Sequence, residues 1–331
     1  MPREPLVSIV ITTFNQAPYV VAALESVFSQ TFERYEVIVV DDGSTDYTPR
    51  VLEPFEPRIT YVRQANQGIA AARNTGVSHA KGELVAFLDG DDLWEPAKLA
   101  CQVEAALAHP KSGLIASDGV QFDDTGLIDE SLIGPSVRVL MNPGLGIATI
   151  QAFQHLLMGN FIATVSQVMI PRAVLESIGP SDPSFALVSD WDLYLRISRR
   201  YPVSLLSRKL VRWRYLTTSA SGPEALRRLR WGLEGVSLLD KHVRLASSDL
   251  RPLLRRWRRI HAFRTAQTAY FYGLEKDRHA AVEVLRHLLV KPYIAVPSVS
   301  FLFALYTPRI ITARLGPVLR ALWSRHLRTH E

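Results

Sequence analysis

Cysteine is almost missing from this 331-residue chain, and long hydrophobic runs are missing altogether. Cys101 is the one cysteine, so an internal disulfide framework and a zinc site built from several thiolates are excluded. Such sparse cysteine usage favours a reducing compartment. The nearest approach to a membrane span, residues 292–308, is shorter than the ~20 apolar residues that a transmembrane helix needs, and Pro297 interrupts it.

Several sequence signals of other protein classes are also lacking. The chain opens on a strand-like run from Leu6, and we expect no secretory leader there. Neither a Walker-type loop nor a GxGxxG after a strand occurs, so ATPase and dinucleotide-binding functions lack their motifs. The nine histidines show no metal-ligand spacing. With 47% apolar residues, the chain is not an intrinsically disordered protein.

Charge divides the chain into two parts. Residues 1–219 hold 18 Lys and Arg against 24 Asp and Glu, whereas residues 220–331 hold 20 against 8. At ~150 residues per domain, the length fits two domains. We therefore predict a first domain over 1–219 and a basic, mainly helical region over 220–331.

The first part alternates strand and helix patterns. Continuous β-branched and apolar runs predict buried strands, and they are Val7–Thr12, Glu36–Val40, Arg58–Val62, Leu84–Leu88 and Gly113–Phe122. Helical spacing predicts helices between them, over 17–30, 69–80 and 95–108. This alternation predicts an α/β fold with a mainly parallel, doubly wound central sheet, followed by a helical C-terminal segment.

The later segments have less regular patterns. Residues 123–160 hold several glycines and no sustained period, so we predict a long loop with short elements beside the site. Val165–Ile170 is strand-like, 190–200 is helical, and short strands are predicted at 203–206 and 211–215.

Carboxylates follow two of the predicted strands. Asp41 and Asp42 end the second strand, and Asp89, Asp91 and Asp92 end the fourth. In parallel sheets the carboxyl ends of strands meet at one edge, where ligands bind. Five carboxylates at one edge repel one another unless a cation lies among them, and oxygen ligands suit Mg²⁺ or Mn²⁺. The alternative is that each aspartate only caps a turn or a helix.

Three blocks of sequence carry a resemblance to a known family. VSIVITTFNQAPYV, VIVVDDGSTD and NQGIAAARNTGVSHAKGELVAFLDGDDLW, in this order and spacing, resemble the family 2 glycosyltransferases of the GT-A fold. The resemblance covers about residues 6–215. It implies that Asp89-Gly90-Asp91 is the Asp-x-Asp motif, with Asp91 and Asp89 holding the metal and Asp92 next in rank.

The resemblance also implies contacts with a nucleotide-sugar donor. Asp41 and Asp42 stand where such enzymes hold the uracil or the ribose. The residues assigned to the donor in this way are Thr12, Thr13, Asn15, Asp41, Asp42, Gly68, Arg73, Asp89 and Trp191. Trp191 has two open interpretations, since it either stacks on a sugar or packs in the core.

A catalytic base is implied at the start of the helix near residue 190. Related enzymes have a Glu-Asp pair there, and this chain has Ser189-Asp190-Trp191-Asp192. Asp190 is therefore the expected base, without the neighbouring glutamate. The alternative for Asp190 is a helix cap. Asp192 is expected at the surface or behind the site.

Together these features predict an inverting, metal-dependent glycosyltransferase. We expect a UDP-sugar donor, a saccharide or lipid-linked saccharide acceptor, and a role in bacterial surface polysaccharide assembly on the cytoplasmic face. Two other functions stay open. They are a sugar-phosphate nucleotidyltransferase, although no basic glycine-rich loop follows the first strand, and a non-catalytic nucleotide- or sugar-binding module, which the serine at 189 would fit.

Arginines cluster in the C-terminal region, and helical patterns carry most of them (residues 227, 228, 230, 255, 256, 258, 259 and 264). One alternative is a solvated helical bundle. The other is a peripheral attachment to an anionic membrane, with residues 293–306 inserted and Lys291, Arg309 and Arg314 flanking them. Nucleic acid is not an expected partner, because no nucleic-acid-binding module accompanies the charge.

Overall fold

The computed structural model describes residues 4–141, 146–216, 225–275 and 278–289. The chain forms two compact units, Met1–Gly222 and Pro223–Glu331. The first unit is built on a sheet with helices, and the second is helical in the residues described.

Four parallel strands form one half of the sheet, in the order β3-β2-β1-β4. These strands are β1 (Val7–Thr13), β2 (Tyr35–Asp41), β3 (Thr60–Arg63) and β4 (Leu84–Asp89). The segments between them contain α1 (Ala17–Phe28), α2 (Thr48–Leu52), a 3₁₀ helix (Glu53–Arg58) and α3 (Ile69–His79).

The other half of the sheet is mixed. Its strands are β5 (Leu93–Trp94), β6 (Leu114–Asp123), β7 (Gly126–Asp129), β8 (Ile147–Ile150), β9 (Val168–Pro171) and β10 (Val203–Arg214). Strand β9 pairs antiparallel with β4 and β6, while β6 and β10 are parallel. The helices of this half are α4 (Lys98–Ala108), α5 (Pro135–Arg138), α6 (Phe153–Met158), α7 (Arg172–Ile178) and α8 (Ser189–Ser198).

Burial of β1 sets the register of the functional edge. All seven residues of this strand are buried, since β-branched side chains cover both of its faces. Thr13 pairs with Asp41 of β2, and Thr12 pairs with Asp89 of β4. The carboxyl ends of three strands therefore lie side by side, as the sequence predicts.

Two predicted segments differ from the structure, whereas residues 123–160 hold the short elements predicted there, β7, α5, β8 and α6. The strand predicted from Val165 begins at Val168, since Thr164 caps a 3₁₀ turn over Val165–Gln167 with its side chain. The two strands predicted at 203–206 and 211–215 are one strand, β10, with irregular register between them.

The second unit contains three described helices, α9 (Ala225–Leu245), α10 (Arg251–Glu275) and α11 (Arg278–Leu289). Small residues bring the first two together: a Cβ on Gly232 would lie 2.7 Å from Oγ1 of Thr265. Ala262, Ala266 and Leu229 are completely buried in the core of this unit. Among the described residues, no helix combines the length and apolar character needed to cross a membrane. The apolar stretch 293–306 lies outside the described residues.

We predict that the turn after β2 depends on glycine at position 43. Gly43 has a φ of +81°, and a Cβ there would lie 2.8 Å from the backbone nitrogen of Asn66. Gly179 has a nearly equal φ of +85° with open space around it. Gly179→Ala should therefore lower the free energy of unfolding by ~1–3 kcal/mol, through backbone strain alone. Gly43→Ala should lower it by a further ~1–3 kcal/mol, because the new methyl group collides with the backbone.

Urea unfolding of the two variants measures this difference. Equal losses of unfolding free energy in Gly43→Ala and Gly179→Ala would contradict the predicted collision.

Candidate active site

The two aspartates after β2 are held by the protein itself. Asp41 is fully buried and accepts hydrogen bonds from the Ser44 backbone N–H and the Tyr61 hydroxyl, both at 2.8 Å. Burial, followed by the hydrogen bond to Asp41, raises the pKa of Tyr61 above its ordinary value. Asp42 accepts from the backbone N–H groups of Gln67 and Gly68 at 3.0 and 2.8 Å. These contacts shape the loops around the edge.

The loop after β1 is tied to the loop after β2. Oδ1 of Asn15 accepts hydrogen bonds from the backbone N–H groups of Thr45 and Asp46, and the Asn15 N–H donates to Ser44 Oγ at 2.9 Å. Asn15 has a φ of +52°, which asparagine tolerates better than most residues. The hydroxyl of Thr13 is buried and has no hydrogen-bond partner among the described residues.

The segment Asp89-Gly90-Asp91 approaches β1 closely. A Cβ on Gly90 would lie 2.6 Å from Oε1 of Gln16 and 3.1 Å from the Thr12 carbonyl oxygen, so any larger residue would have to displace the Gln16 side chain. The Gly90 N–H donates to that carbonyl at 2.9 Å. This close approach fixes the positions of the two aspartates that flank Gly90.

Asp91 and Asp92 have different surroundings. Burial, and then the charge of Asp89, raises the pKa of Asp91 to about 6. Asp92 is fully buried, and its side chain accepts hydrogen bonds from Ser166 Oγ at 2.6 Å, Thr164 Oγ1 at 3.0 Å and the Arg214 N–H at 3.0 Å. Asp92 therefore holds the loop from within. The resemblance ranks it next after Asp91 and Asp89 as a metal ligand, but these hydrogen bonds already occupy its carboxylate.

Arg73 connects the two ends of the site. Its Nη2 lies 2.9 Å from Oδ1 of Asp89, and its side chain is 10% exposed. Burial acts to lower the pKa of Arg73, but the charges of Asp89 and Asp190 raise it, so the guanidinium stays charged. Nε of Arg73 is buried without a partner among the described residues. This places a fixed positive charge between two carboxylates 101 positions apart in the sequence.

Asp190 lies in the first turn of α8. Its Oδ1 accepts a hydrogen bond from the Trp191 N–H at 2.7 Å, and its Oδ2 accepts one from Asn160 Nδ2 at 3.3 Å. Burial raises the pKa of Asp190, and Arg73 offsets part of that rise. A carboxylate with a raised pKa is a better proton acceptor than an exposed one.

The structure decides between the open alternatives for two residues of the same helix. Trp191 is fully buried, and its Nε1 donates to the Leu156 carbonyl at 2.8 Å, so stacking on a sugar is wrong for this residue and the core alternative holds. Asp192 is also fully buried and forms an ion pair with Arg196 at 2.8 Å, so it is not at the surface. Helical geometry turns positions 191 and 192 inward.

Sequence reasoning missed two residues beside Asp190. The Tyr194 hydroxyl is buried without a partner among the described residues, and burial together with the nearby Asp190 charge raises its pKa. Asn160 is the other, through its hydrogen bond to Asp190. Asn160 lies in a segment without periodic pattern, so only the folded chain reveals it. The i, i+4 spacing of Asp190 and Tyr194 on one helix was the available signal for Tyr194.

The donor set fits a divalent cation in part. Asp89 and Asp91 supply carboxylate oxygens, and burial, followed by the charge of Asp89, raises the pKa of Asp91. In the part of the chain that the structure describes, no three acidic, histidine or cysteine side chains form a metal site by themselves. Mg²⁺ and Mn²⁺ sites of this kind take their other ligands from water and substrate phosphates.

We predict that Asp91 destabilises the metal-free protein above pH 6. Its pKa is about 6 in the folded chain against an ordinary value of 3.8, so the protonated form contributes stability below pH 4 that is lost as pH rises through about 6. Asp91→Asn should therefore be more stable than wild type at pH 8 in EDTA, with a free energy of unfolding higher by up to about 3 kcal/mol. Thermal unfolding measures this difference. The difference should vanish at pH 4.

Asp46→Asn is the matched control for this prediction. Burial acts to raise the pKa of Asp46, but hydrogen bonds from Thr48 and Ala17 lower it overall, so this variant should gain no stability at pH 8. An Asp91→Asn variant less stable than wild type at pH 8 without metal would refute the argument.

Curated relatives are glycosyltransferases. The chain is 30% identical over 201 residues to "Uncharacterized glycosyltransferase RT0329" of Rickettsia typhi, which is 60% of this chain and 61% of that protein. It is 36% identical over 140 residues to "Putative teichuronic acid biosynthesis glycosyltransferase TuaG" of Bacillus subtilis, 39% of this chain and 55% of the relative. The match thus spans less than two thirds of either relative.

Solved structures share the fold. TarS 1–349 of S. aureus, in complex with UDP-GlcNAc, superposes with a TM-score of 0.63 at 14% identity, covering 94% of this chain and 92% of that one. The mannosyltransferase PcManGT of Pyrobaculum calidifontis, in complex with GDP-Man and Mn²⁺, gives a TM-score of 0.56 at 20% identity, covering 100% and 89%. The predicted α/β architecture of the GT-A type is thereby confirmed.

A family model identifies the chain. The model described as "Glycosyl transferase family 2" matches residues 8–176, from the second residue of β1 into α7, which is just over half of the chain. That range contains β1, the turn after β2, Arg73 and the Asp89-Gly90-Asp91 segment. The chain therefore belongs to glycosyltransferase family 2, as its sequence motifs suggest.

Proposed function

We propose that this protein transfers a sugar from a nucleotide-sugar to an acceptor hydroxyl with inversion at the anomeric carbon. The observation that carries the proposal is the arrangement around Arg73. Its guanidinium pairs with Asp89 of the Asp-x-Asp segment and also stabilises the charge of Asp190. Two carboxylates distant in sequence are thus assembled at one site, and each suits a separate part of a transfer reaction.

Asp190 accepts the acceptor's proton in this mechanism. The acceptor oxygen attacks the anomeric carbon and forms the new glycosidic bond as its proton passes to a carboxylate oxygen of Asp190. The bond between that carbon and the diphosphate oxygen breaks, and its electron pair leaves with the nucleoside diphosphate. The raised pKa of Asp190 favours this proton transfer. Asn160 and the Trp191 N–H orient the carboxylate for it.

Asp91 and Asp89 hold Mg²⁺ or Mn²⁺ in this proposal. When bound, such a cation neutralises the negative charge that develops on the departing diphosphate. Arg73 keeps the Asp89 carboxylate in place, and the Gly90 N–H anchors the loop to β1. The Mn²⁺ complex of PcManGT supports a metal requirement.

A UDP-sugar is the proposed donor. The bound UDP-GlcNAc of TarS supports it, whereas the GDP-Man of PcManGT shows that the same fold also accepts a guanine nucleotide. Asn15 and Gly68 border the edge where the nucleotide would lie, with Asp41 and Asp42 shaping the loops behind them. Thermal shift with UDP, UDP-GlcNAc and GDP-Man in Mn²⁺ distinguishes these donors, since a bound ligand raises the melting temperature.

The proposed acceptor is a saccharide, free or lipid-linked, in bacterial surface polysaccharide assembly. TuaG, which is named as a putative teichuronic acid biosynthesis glycosyltransferase, supports this setting. We also propose that the second unit attaches to an anionic membrane surface from the cytoplasmic side. Arg255, Arg256 and Arg259 are exposed together on α10, and each basic residue near such a surface contributes ~1 kcal/mol.

Substitutions of Asp91 and Asp190 should affect different quantities, donor binding and kcat. Asp91→Ala should abolish Mn²⁺-dependent donor binding, because a metal ligand is lost. Asp190→Ala should keep donor binding and lower kcat by about 10²–10⁴-fold, the usual worth of a general base. Calorimetric titration with UDP and a nucleotide-release assay measure the two effects.

Other outcomes point to other functions. Release of pyrophosphate from a nucleoside triphosphate and a sugar phosphate would indicate a nucleotidyltransferase. Donor binding without turnover in the wild type, under any acceptor, would indicate a binding module and overturn the proposed reaction.

Charge removal on α10 should weaken membrane attachment. We expect the full chain to float with vesicles of phosphatidylglycerol and phosphatidylcholine, and Arg255, Arg256 and Arg259 changed together to Gln should reduce the floated fraction severalfold. The matched control changes Arg34, Lys111 and Arg199, three exposed cations of the first unit, to Gln. Equal behaviour of the two triple variants would refute the arginine cluster as the contact.

A further inference from the structure

A cavity of about 230 Å³ lies close to the proposed base. Residues Asn160 and Phe161, the segment 131–135, and Trp213 are among its walls. Asn160 also donates a hydrogen bond to Oδ2 of Asp190, so one residue of the cavity wall contacts the proposed base. A hydroxyl bound against Asn160 would therefore be close to Asp190.

The same cavity is connected to the Asp-x-Asp loop through β10. Trp213 lines the cavity, and the next residue, Arg214, donates its backbone N–H to Asp92 and its Nε to the Asp91 carbonyl oxygen, both at 3.0 Å. One side of the cavity is thus fixed to the proposed donor site and another to the proposed base. A cavity with both connections is suited to hold an acceptor.

Hydrogen bonds within the protein hold the cavity walls in place before any ligand binds. Asp118 is buried, and its Oδ1 accepts from the N–H groups of Leu132 and Ile133 at 2.8 and 3.1 Å. The Gly134 N–H donates to the Phe161 carbonyl at 3.0 Å, which joins the two wall segments. A preformed cavity costs a ligand little ordering free energy.

The floor combines an aromatic ring with polar side chains. Trp213 pairs with Gln121 across β10 and β6, and Gln121 pairs with Asp129 across β6 and β7, so the three side chains stand in one row. Trp213 is half-buried and presents ring surface to the cavity. Amide and carboxylate groups beside an aromatic face suit a sugar ring, which has hydroxyls at its edge and C–H groups on its face.

Charge and size narrow the ligand further. The two charged residues of the lining, Asp129 and Arg138, have opposite signs, so the lining carries no net charge. The cavity therefore offers an anionic sugar no overall electrostatic attraction. The volume is below the roughly 300 Å³ at which pockets for drug-sized molecules begin, which suits a single ring.

We propose that this cavity binds one uncharged sugar ring of the acceptor, with Trp213 as the residue that sets acceptor affinity. The inference rests on the proposed function, since it names the substrate of the same reaction. Asn160 is a positioning residue, which holds Asp190 and the incoming hydroxyl next to each other.

The test uses the full chain, Mn²⁺, the nucleotide-sugar that raises its melting temperature most, and a panel of p-nitrophenyl glycosides as acceptors. We expect a neutral glycoside to be glycosylated with at least tenfold lower KM than the matching glucuronide. Trp213→Ala should raise that KM at least tenfold and leave hydrolysis of the donor by water within twofold. Trp213→Phe should restore most of the affinity, and Asn160→Ala should lower kcat with little change in KM.

Leu127→Ala is the matched control, because Leu127 is 59% exposed on β7 and does not line the cavity. A wild type that hydrolyses donor but binds none of the neutral glycosides would overturn the inference and leave the proposed function standing. An unchanged acceptor KM in Trp213→Ala would overturn it as well. Absence of both donor binding and donor hydrolysis would instead refute the proposed function itself.

Discussion

The charge of Arg73 is the interaction on which the site depends. Asp89 and Asp190 come from distant parts of the chain, and both are partly removed from water, where two negative charges without a partner would be costly. The guanidinium lies between them, makes a 2.9 Å contact with Asp89 and offsets the rise in the Asp190 pKa. Arg73 lies on α3, and Gly68, directly before this helix, donates its backbone N–H to Asp42 after β2. The loops at the sheet edge and Asp190 are therefore both tied to this helix.

The carboxylates at the sheet edge show how far sequence reasoning reaches. Strand patterns correctly predict that Asp41, Asp42 and Asp89 meet at one edge, because parallel strands end together. They do not predict that Asp41 and Asp42 are satisfied by Ser44, Tyr61, Gln67 and Gly68, or that Asp92 turns inward. Those outcomes depend on long-range contacts that no local pattern contains. Burial, and then the neighbouring carboxylates, raise the pKa of both Asp91 and Asp92, so the effect of crowded charge falls on the residues after β4.

The helix at 189–198 gives a second example. Its start and its amphipathic character are readable from sequence, and so is the importance of Asp190. Whether Trp191 faces a ligand or the core depends on the helix's rotation against α6, where the Leu156 carbonyl receives the indole N–H. Position 189 holds serine instead of glutamate. Asn160, in an irregular segment, donates a hydrogen bond to Asp190, and the sequence does not reveal this contact.

Strand β10 connects the proposed acceptor cavity with the Asp-x-Asp loop. Arg214 is anchored to that loop, while its neighbour Trp213 lines the cavity. Consecutive residues of a strand point to opposite faces, so exchanging one side chain leaves the backbone hydrogen bonds of the other intact. Single substitutions along this strand could thus change the acceptor preference during evolution and leave the proposed nucleotide site unchanged.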